Sequence, residues 1–216
     1  MNLFGELYFF VCAGLLLIPA VILGIMEKPL KYYGFLVTIV FVLLALWGKP
    51  KEILYICCYI AFQLVITKAY MSIRAKQGRK RLWFWLFLLL ALAPLTAYKI
   101  LGLFGLSLFG FIGISYMTFK SVQVIIEIYD GLIKELRPFE MAYFLTFFPA
   151  LLSGPIDRSR RFEEDLRLIR PKSEYLNLLG EGLFKICQGL VYKFVLAQAV
   201  YQAITYLGME GGWLSN

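Results

Sequence analysis

The sequence contains no histidine at all. General acid–base chemistry near neutral pH most often runs through an imidazole. Any such reaction here needs another group, or a histidine supplied by another chain. Charge is scarce as well. Asp, Glu, Lys and Arg make up 17% of the 216 residues, against about a quarter in an ordinary soluble domain. What charge there is stands in short clusters between long apolar runs, in a chain that is 61% hydrophobic and 17% aromatic. That distribution argues against a soluble globular domain and for a polytopic membrane protein.

Cysteine is limited to Cys12, Cys57, Cys58 and Cys187, all inside apolar segments and without metal-ligand spacing. They read as small packing residues, so no metal site and no disulfide are expected. Acidic residues are outnumbered 14 to 22, a net charge of +8. In a soluble chain that excess would suggest nucleic acid. In a membrane chain, clustered Lys and Arg set topology and meet anionic lipid, so membrane lipids are expected as partners and nucleic acid is not. Internal repeats and low-complexity linkers are missing too. The opening MNLFGELYFF carries Glu6 and no cationic stretch ahead of its apolar run, so no cleavable signal peptide is expected.

The apolar runs place helices. The first span is expected over Leu7 to Ile25, with Pro19 as a kink, and the next two over Tyr32 to Trp47 and Ile53 to Tyr70. The fourth runs from Leu82 to Ala97, opened by Trp83 and Trp85 at interface depth. The glycine-rich stretch Ile100 to Ile112 extends a helix, dips or loops, and a fifth helix covers Gly113 to Tyr129. A long final helix runs from Glu174 to Tyr206, after Pro171 and with Ser173 as its cap.

Charge then tests the topology. Arg74, Lys76, Arg79, Lys80 and Arg81 form a strongly basic loop that should face the cytoplasm, which puts the N-terminus outside. If Phe139 to Leu152 crossed the membrane, the second basic cluster, Arg158 to Lys172, would lie outside and break the rule. That run has only 14 residues, below the roughly 17 to 25 of a spanning helix. It is therefore read as a re-entrant segment that returns to its own side. Beyond it, Phe162, Leu166 and Ile169 recur at helical spacing among Arg161, Glu163, Glu164, Asp165 and Arg170. This reads as an amphipathic helix, either in the membrane interface or solvated. The fold expected is all-α: a single membrane domain, 1–216, with about six transmembrane helices, one dip and one interfacial helix. Four spans fall in 1–99; the fifth span, the dip and the interfacial helix in 100–172; the final helix and tail in 173–216.

On the fifth helix, Tyr116, Lys120, Gln123, Glu127 and Asp130 follow spacings of 4, 3, 4 and 3 and make one polar stripe, opposite Met117, Val124, Ile125 and Ile128. Ionisable groups at membrane depth cost about 3 kcal/mol each on insertion scales, so they face protein or a water-filled cavity. Tyr116, Lys120, Gln123 and Glu127 are candidates to line a tunnel; the alternative is a structural pair with Lys120 and Glu127 bridged through Gln123. Glu181, Lys185, Gln188 and Tyr192 repeat the pattern on the final helix, as a packing seam or a substrate contact. Ser153, Gly154 and Pro155 break the helix. Asp157 and Arg158 follow, either locking that turn or offering a guanidinium to an anion.

Two blocks, GISYMTFKSVQVIIEIYDG (Gly113 to Gly131) and FFPALLSGPIDRSRRFEEDL (Phe147 to Leu166), with LVYKFVLAQ (Leu190 to Gln198), resemble the membrane-bound O-acyltransferase superfamily. Within it the resemblance is to the branch that attaches D-alanine to teichoic acids in Gram-positive bacteria. It makes Ser153, Gly154, Pro155, Asp157 and Arg158 a family motif. It implies a partial ring of helices around a tunnel in the plasma membrane, and an acyl group arriving as a phosphopantetheine thioester on a D-alanyl carrier protein. The acceptor it implies is lipoteichoic acid or its lipid-linked intermediate; no cofactor is held by the membrane chain itself. Arg74, Arg79, Lys80, Arg81 and Arg161 are candidate contacts for an acidic carrier. The histidine of such enzymes lies in a later half, so the resemblance covers an N-terminal half and carries no catalytic residue onto this sequence. Two other readings stay open: a non-enzymatic scaffold that docks the carrier, and O-acetylation of an exported polysaccharide.

Overall fold

The computed structural model describes residues 7–105, 110–111, 113–151 and 158–206. Among them the regular structure is helical throughout: α1 (Leu7–Ile25), α2 (Lys31–Ala45), α3 (Pro50–Gln77), α4 (Arg81–Leu103), α5 (Ile114–Tyr129), α6 (Pro138–Thr146), a 3₁₀ turn (Phe148–Ala150), α7 (Ser159–Arg167), α8 (Lys172–Val191), a π-helical turn (Tyr192–Leu196) and α9 (Ala197–Tyr206). Among the described residues three helices, α3, α4 and the continuous α8–α9, are long and apolar enough to cross a membrane.

α3 and α4 outrun the apolar runs that predicted them. α3 starts at Pro50, whose missing N–H costs nothing in a first turn, and ends at Gly78, which adopts φ +75°. Apolarity marks the stretch that lipid tolerates; the backbone stays helical through Arg74 and Lys76 until a glycine stops it. α4 likewise continues past Ala97 to Leu103, so the first part of the glycine-rich stretch extends a helix.

The chain divides into two compact units, one of residues 1–20 and 29–168, the other of 21–28 and 169–216. In the second, the Glu27 carboxylate accepts the backbone N–H of Lys172 at 2.8 Å, and Arg170 donates to Glu174 at 2.6 Å. The Tyr175 ring lies against Gly24, where a Cβ would run into it. Most side chains of α8 and α9 are exposed, large apolar ones such as Phe184 and Val200 among them. Gln188 donates to Tyr192 at 2.9 Å in the predicted seam.

The first unit is organised around α5. Its apolar side packs as expected, with Met117, Val124, Ile125 and Ile128 all at 1% exposure or less. Phe87 and Ala91 of α4, Ile66 and Tyr70 of α3, and Leu145 of α6 join the same core. The polar side is buried as well. Lys120 and Glu127 lie at 2% and 6% exposure, which makes α5 a helix enclosed by protein on both faces. Its ionisable groups therefore need partners.

The segment after α5 runs out along it and back. Glu140 stands near the start of α2, where Lys31 meets it. Phe144 is level with Lys120 in the middle of α5. Leu151 lies on Gly113 at the N-terminal end of α5. By Ser159 the chain is beside Glu127, near the C-terminal end again. α7 is anchored by Phe162, whose ring centroid is 5.1 to 5.4 Å from those of Tyr143, Phe144 and Phe147. Ile169, expected on the same apolar face, is 53% exposed, because α7 ends at Arg167 and Leu168 is already extended.

Candidate functional site

Lys120 and Glu127 of the α5 stripe each meet the end of another helix. Lys120 donates to the carbonyl of Phe144 at 2.9 Å and lies 5.3 Å from the centre of its ring. Phe144 is in the last turn of α6, where carbonyls have no partner in their own helix and the dipole is negative. The cation is thus held by a helix C-terminus and a ring face. Glu127 is matched to the opposite kind of end. It accepts from the Ser159 hydroxyl at 2.6 Å, in the first turn of α7, and Arg160 comes within 3.9 Å. The bridge through Gln123 considered from the sequence does not form. Two turns of helix separate Lys120 from Glu127 by about 10 Å, and separate helix ends neutralise them.

The other stripe residues divide. Asp130 binds Arg79 at 2.9 Å, and that guanidinium stacks 4.3 Å above the Tyr129 ring. Arg74 donates to the Tyr129 carbonyl at 3.4 Å. Tyr116 and Gln123 are half-buried, and the Gln123 side-chain oxygen has no hydrogen-bond partner among the described residues. The Ser121 hydroxyl, also on α5, is buried without a hydrogen-bond partner among the described residues.

A second polar line, on α3, was not anticipated. Tyr59, Gln63, Thr67 and Tyr70 are all buried, at spacings of 4, 4 and 3. Gln63 donates to the Tyr59 hydroxyl at 2.9 Å and to the Ala91 carbonyl at 3.0 Å. The Tyr59 hydroxyl is 2.8 Å from that of Thr118, which donates in turn to the Ile114 carbonyl at 2.7 Å. A directed chain of donors therefore runs from α3 into α5. Its signal was the same helical spacing of polar residues that marked α5.

A third cluster centres on Glu140, 1% exposed at the start of α6. Lys31 and Arg167 each reach it at 2.6 Å, from the first turn of α2 and the last of α7, with Arg137 at 3.6 Å. Burial pushes this carboxyl up, but hydrogen bonds and charge from Arg167 and Lys31 outweigh it and hold the pKa down at about 2. Glu163, half-buried beside it, is pushed up by burial and by the Glu140 charge.

Among the candidate carrier contacts, Arg74 and Arg79 are tied to α5 as described, and Lys80 donates to Gln77 at 3.2 Å. The Gln77 oxygen also accepts from Trp83 at 2.8 Å. Arg81 opens α4 and Arg161 lies on α7, both exposed. Arg158, exposed, directly precedes α7; Ser153, Gly154, Pro155 and Asp157 lie outside the described residues. No group of three or more metal-ligating side chains occurs among the described residues.

Comparison with known proteins then bears on what this arrangement serves. The chain is 38% identical over 199 residues to the teichoic acid D-alanyltransferase of Streptococcus thermophilus, a match covering 90% of this chain and 48% of that protein. Against the teichoic acid D-alanyltransferase of Bacillus subtilis the figures are 34% over 209 residues, 93% and 53%. A stretch of 90 residues, 41% of the chain, is 30% identical to a probable alginate O-acetylase AlgI of Azotobacter vinelandii and covers 17% of it. No protein-family model matches. The chain spans about half the length of the D-alanyltransferases it matches.

Proposed function

Because this chain is related to the teichoic acid D-alanyltransferases over the half of their length that it spans, we propose that it is part of a membrane acyltransferase for D-alanine. The donor is a D-alanyl thioester on the phosphopantetheine arm of a small carrier protein. The acceptor is a hydroxyl of lipoteichoic acid or of its lipid-linked intermediate. The observation that carries the reading is the 38% identity over 90% of the chain. In this function the α3–α5–α6 core is a rigid wall, with Tyr116 and Gln123 as its tunnel-facing polar groups. Acid–base catalysis comes from residues outside this sequence, which has no histidine.

A chimera tests this: the chain replaces the matching half of the Bacillus subtilis enzyme in a strain lacking that enzyme. D-alanine ester should return to the teichoic acid, and should not return with the chain alone. A chimera that restores no ester overturns the proposal. Acetate ester in its place would favour O-acetylation, the reading that the alginate O-acetylase match supports.

The membrane reading has six spans: α1 to α5 and the continuous α8–α9. The segment from Pro138 to Ser159 enters and leaves on the cytoplasmic side, and the N-terminus is outside in a Gram-positive plasma membrane. It is supported by the short α6, by the positive-inside count, and by contacts that set Glu140 with Lys31 and Ser159 with Glu127. A cysteine-labelling tag inserted after Asp157 should react only from the cytoplasmic face. Labelling from outside would replace the dip with a crossing.

The exposed cations near the start of α4 are the proposed contact for an acidic carrier. Arg79 is already spent on Asp130 and Tyr129, so reversing it would disturb α5. Lys80→Glu with Arg81→Glu is the cleaner variant. It should weaken carrier binding at least ten-fold at low salt, by about 1 kcal/mol for each lost attraction, measured by titration in detergent. Unchanged affinity would rule the loop out.

A further inference from the structure

A groove of about 260 Å³ lies between α2, α3 and α6, and no part of the functional reading uses it. Ile39, Leu43 and Leu46 form one wall, Ile53 and Cys57 the other, and Thr146 lies on the α6 side. The Thr146 hydroxyl is turned into its own helix, donating to the Ala142 carbonyl at 2.8 Å. The lining is thus apolar nearly throughout. Along α2 the groove extends from Phe35 to Leu46. Eleven helical residues rise about 16 Å, close to half of the roughly 30 Å hydrocarbon thickness.

Charge stands at the end of the groove beside the α2–α3 loop. Beyond Leu46 and Ile53 the loop Trp47-Gly48-Lys49-Pro50-Lys51 joins α2 to α3. Trp47 is 82% exposed, as expected of an indole at a membrane–water boundary. Lys49 and Lys51 are both exposed, and among the described residues only Lys49 pairs with an acidic one, Glu52 at 3.0 Å. Net positive charge therefore stands at the mouth of an apolar slot one leaflet long.

From this juxtaposition we propose that the groove holds one acyl chain of an anionic phospholipid, with its phosphate at Lys49 and Lys51. Length and charge together choose this occupant. A zwitterionic lipid would fill the slot but leave the lysines unanswered. A helix about 10 Å across would not fit a groove of about 260 Å³.

The inference rests on the membrane reading, which is tested separately: alkaline carbonate should leave the chain in the membrane pellet. The lipid test uses the full chain, purified in detergent, stripped of lipid and given phosphatidylglycerol or phosphatidylcholine. Native mass spectrometry counts the lipids retained. Wild type should keep one phosphatidylglycerol in preference to phosphatidylcholine. Leu43→Trp fills the groove from a position already 45% exposed and should lose that lipid. Leu54→Trp, on α3 but outside the lining and 60% exposed, should keep it. Lys49→Gln with Lys51→Gln should reduce the preference for phosphatidylglycerol about ten-fold. If Leu43→Trp lacks wild-type helix content by circular dichroism, Ile39→Trp takes its place. Retention unaffected by filling the groove, or equal retention of the two lipids by wild type, overturns the proposal.

Discussion

Replacing Glu140 by leucine should destabilise the chain by about 3 kcal/mol. Removing one partner of a buried ion pair strands the charges it served, typically at about 3 to 5 kcal/mol. Here one carboxylate serves Lys31 and Arg167, whose side chains are 19% and 46% exposed, so both can partly rehydrate. That places the loss at the low end of the range. Glu140→Gln keeps one acceptor and should cost less. Glu140→Leu combined with Lys31→Met should recover part of the loss, because it removes a stranded charge as well. Thermal unfolding in detergent micelles measures all three.

The same carboxylate predicts a pH profile. Its folded pKa is held at about 2, below the ordinary 4.5. A depressed carboxylate stabilises the fold fully above its unfolded pKa and loses that contribution as pH falls through the folded one. The gap between wild type and Glu140→Leu should therefore stay constant from pH 7 to about 5, then narrow and close near pH 2. A gap that closes by pH 5 would mean that the partners do not hold the carboxylate.

Gly113→Ala should have an effect of similar size for a different reason. Gly113 opens α5 with φ +89°, a backbone region that residues with a Cβ avoid. An added Cβ would also sit 2.9 Å from both the carbonyl oxygen and the side chain of Leu151. Side chains can move aside; the carbonyl can do so only if the 3₁₀ turn shifts. Backbone strain of this kind costs about 1 to 3 kcal/mol, and the contact adds to it, for an expected loss of about 3 kcal/mol. Leu151→Ala should not rescue the variant, since the carbonyl remains. In the chimera, Gly113→Ala should lower D-alanine ester along with the unfolding temperature. A loss below 1 kcal/mol would show that Leu151 and the turn before it yield freely.

Periodicity and length found the helices, because an apolar stripe is a local property. α1 occupies Leu7–Ile25, as expected, and α5 begins within one residue of its expected start. The polar stripe of α5 was legible for the same reason. Its partners were not. The Phe144 carbonyl and the Ser159 hydroxyl reach Lys120 and Glu127 only through a segment that folds back along α5, and no local pattern encodes such a return. Glu140 gave no local signal, because the two partners that hydrogen-bond it stand 27 and 109 residues away. The α3 line of Tyr59, Gln63, Thr67 and Tyr70 is the contrary case, since its spacing was open to reading.

The Lys31–Glu140 pair also has a history within each molecule's synthesis. Its partners are 109 residues apart in sequence. At about 5 to 20 residues per second, Lys31 leaves the ribosome many seconds before its carboxylate exists. During that interval Lys31, at the head of α2, lacks the carboxylate that later holds it at 2.6 Å. Only afterwards does Glu140 arrive and turn the same lysine into a clamp. The order of translation thus makes this contact a late one, closed only after α3, α4 and α5 have been made between its two partners.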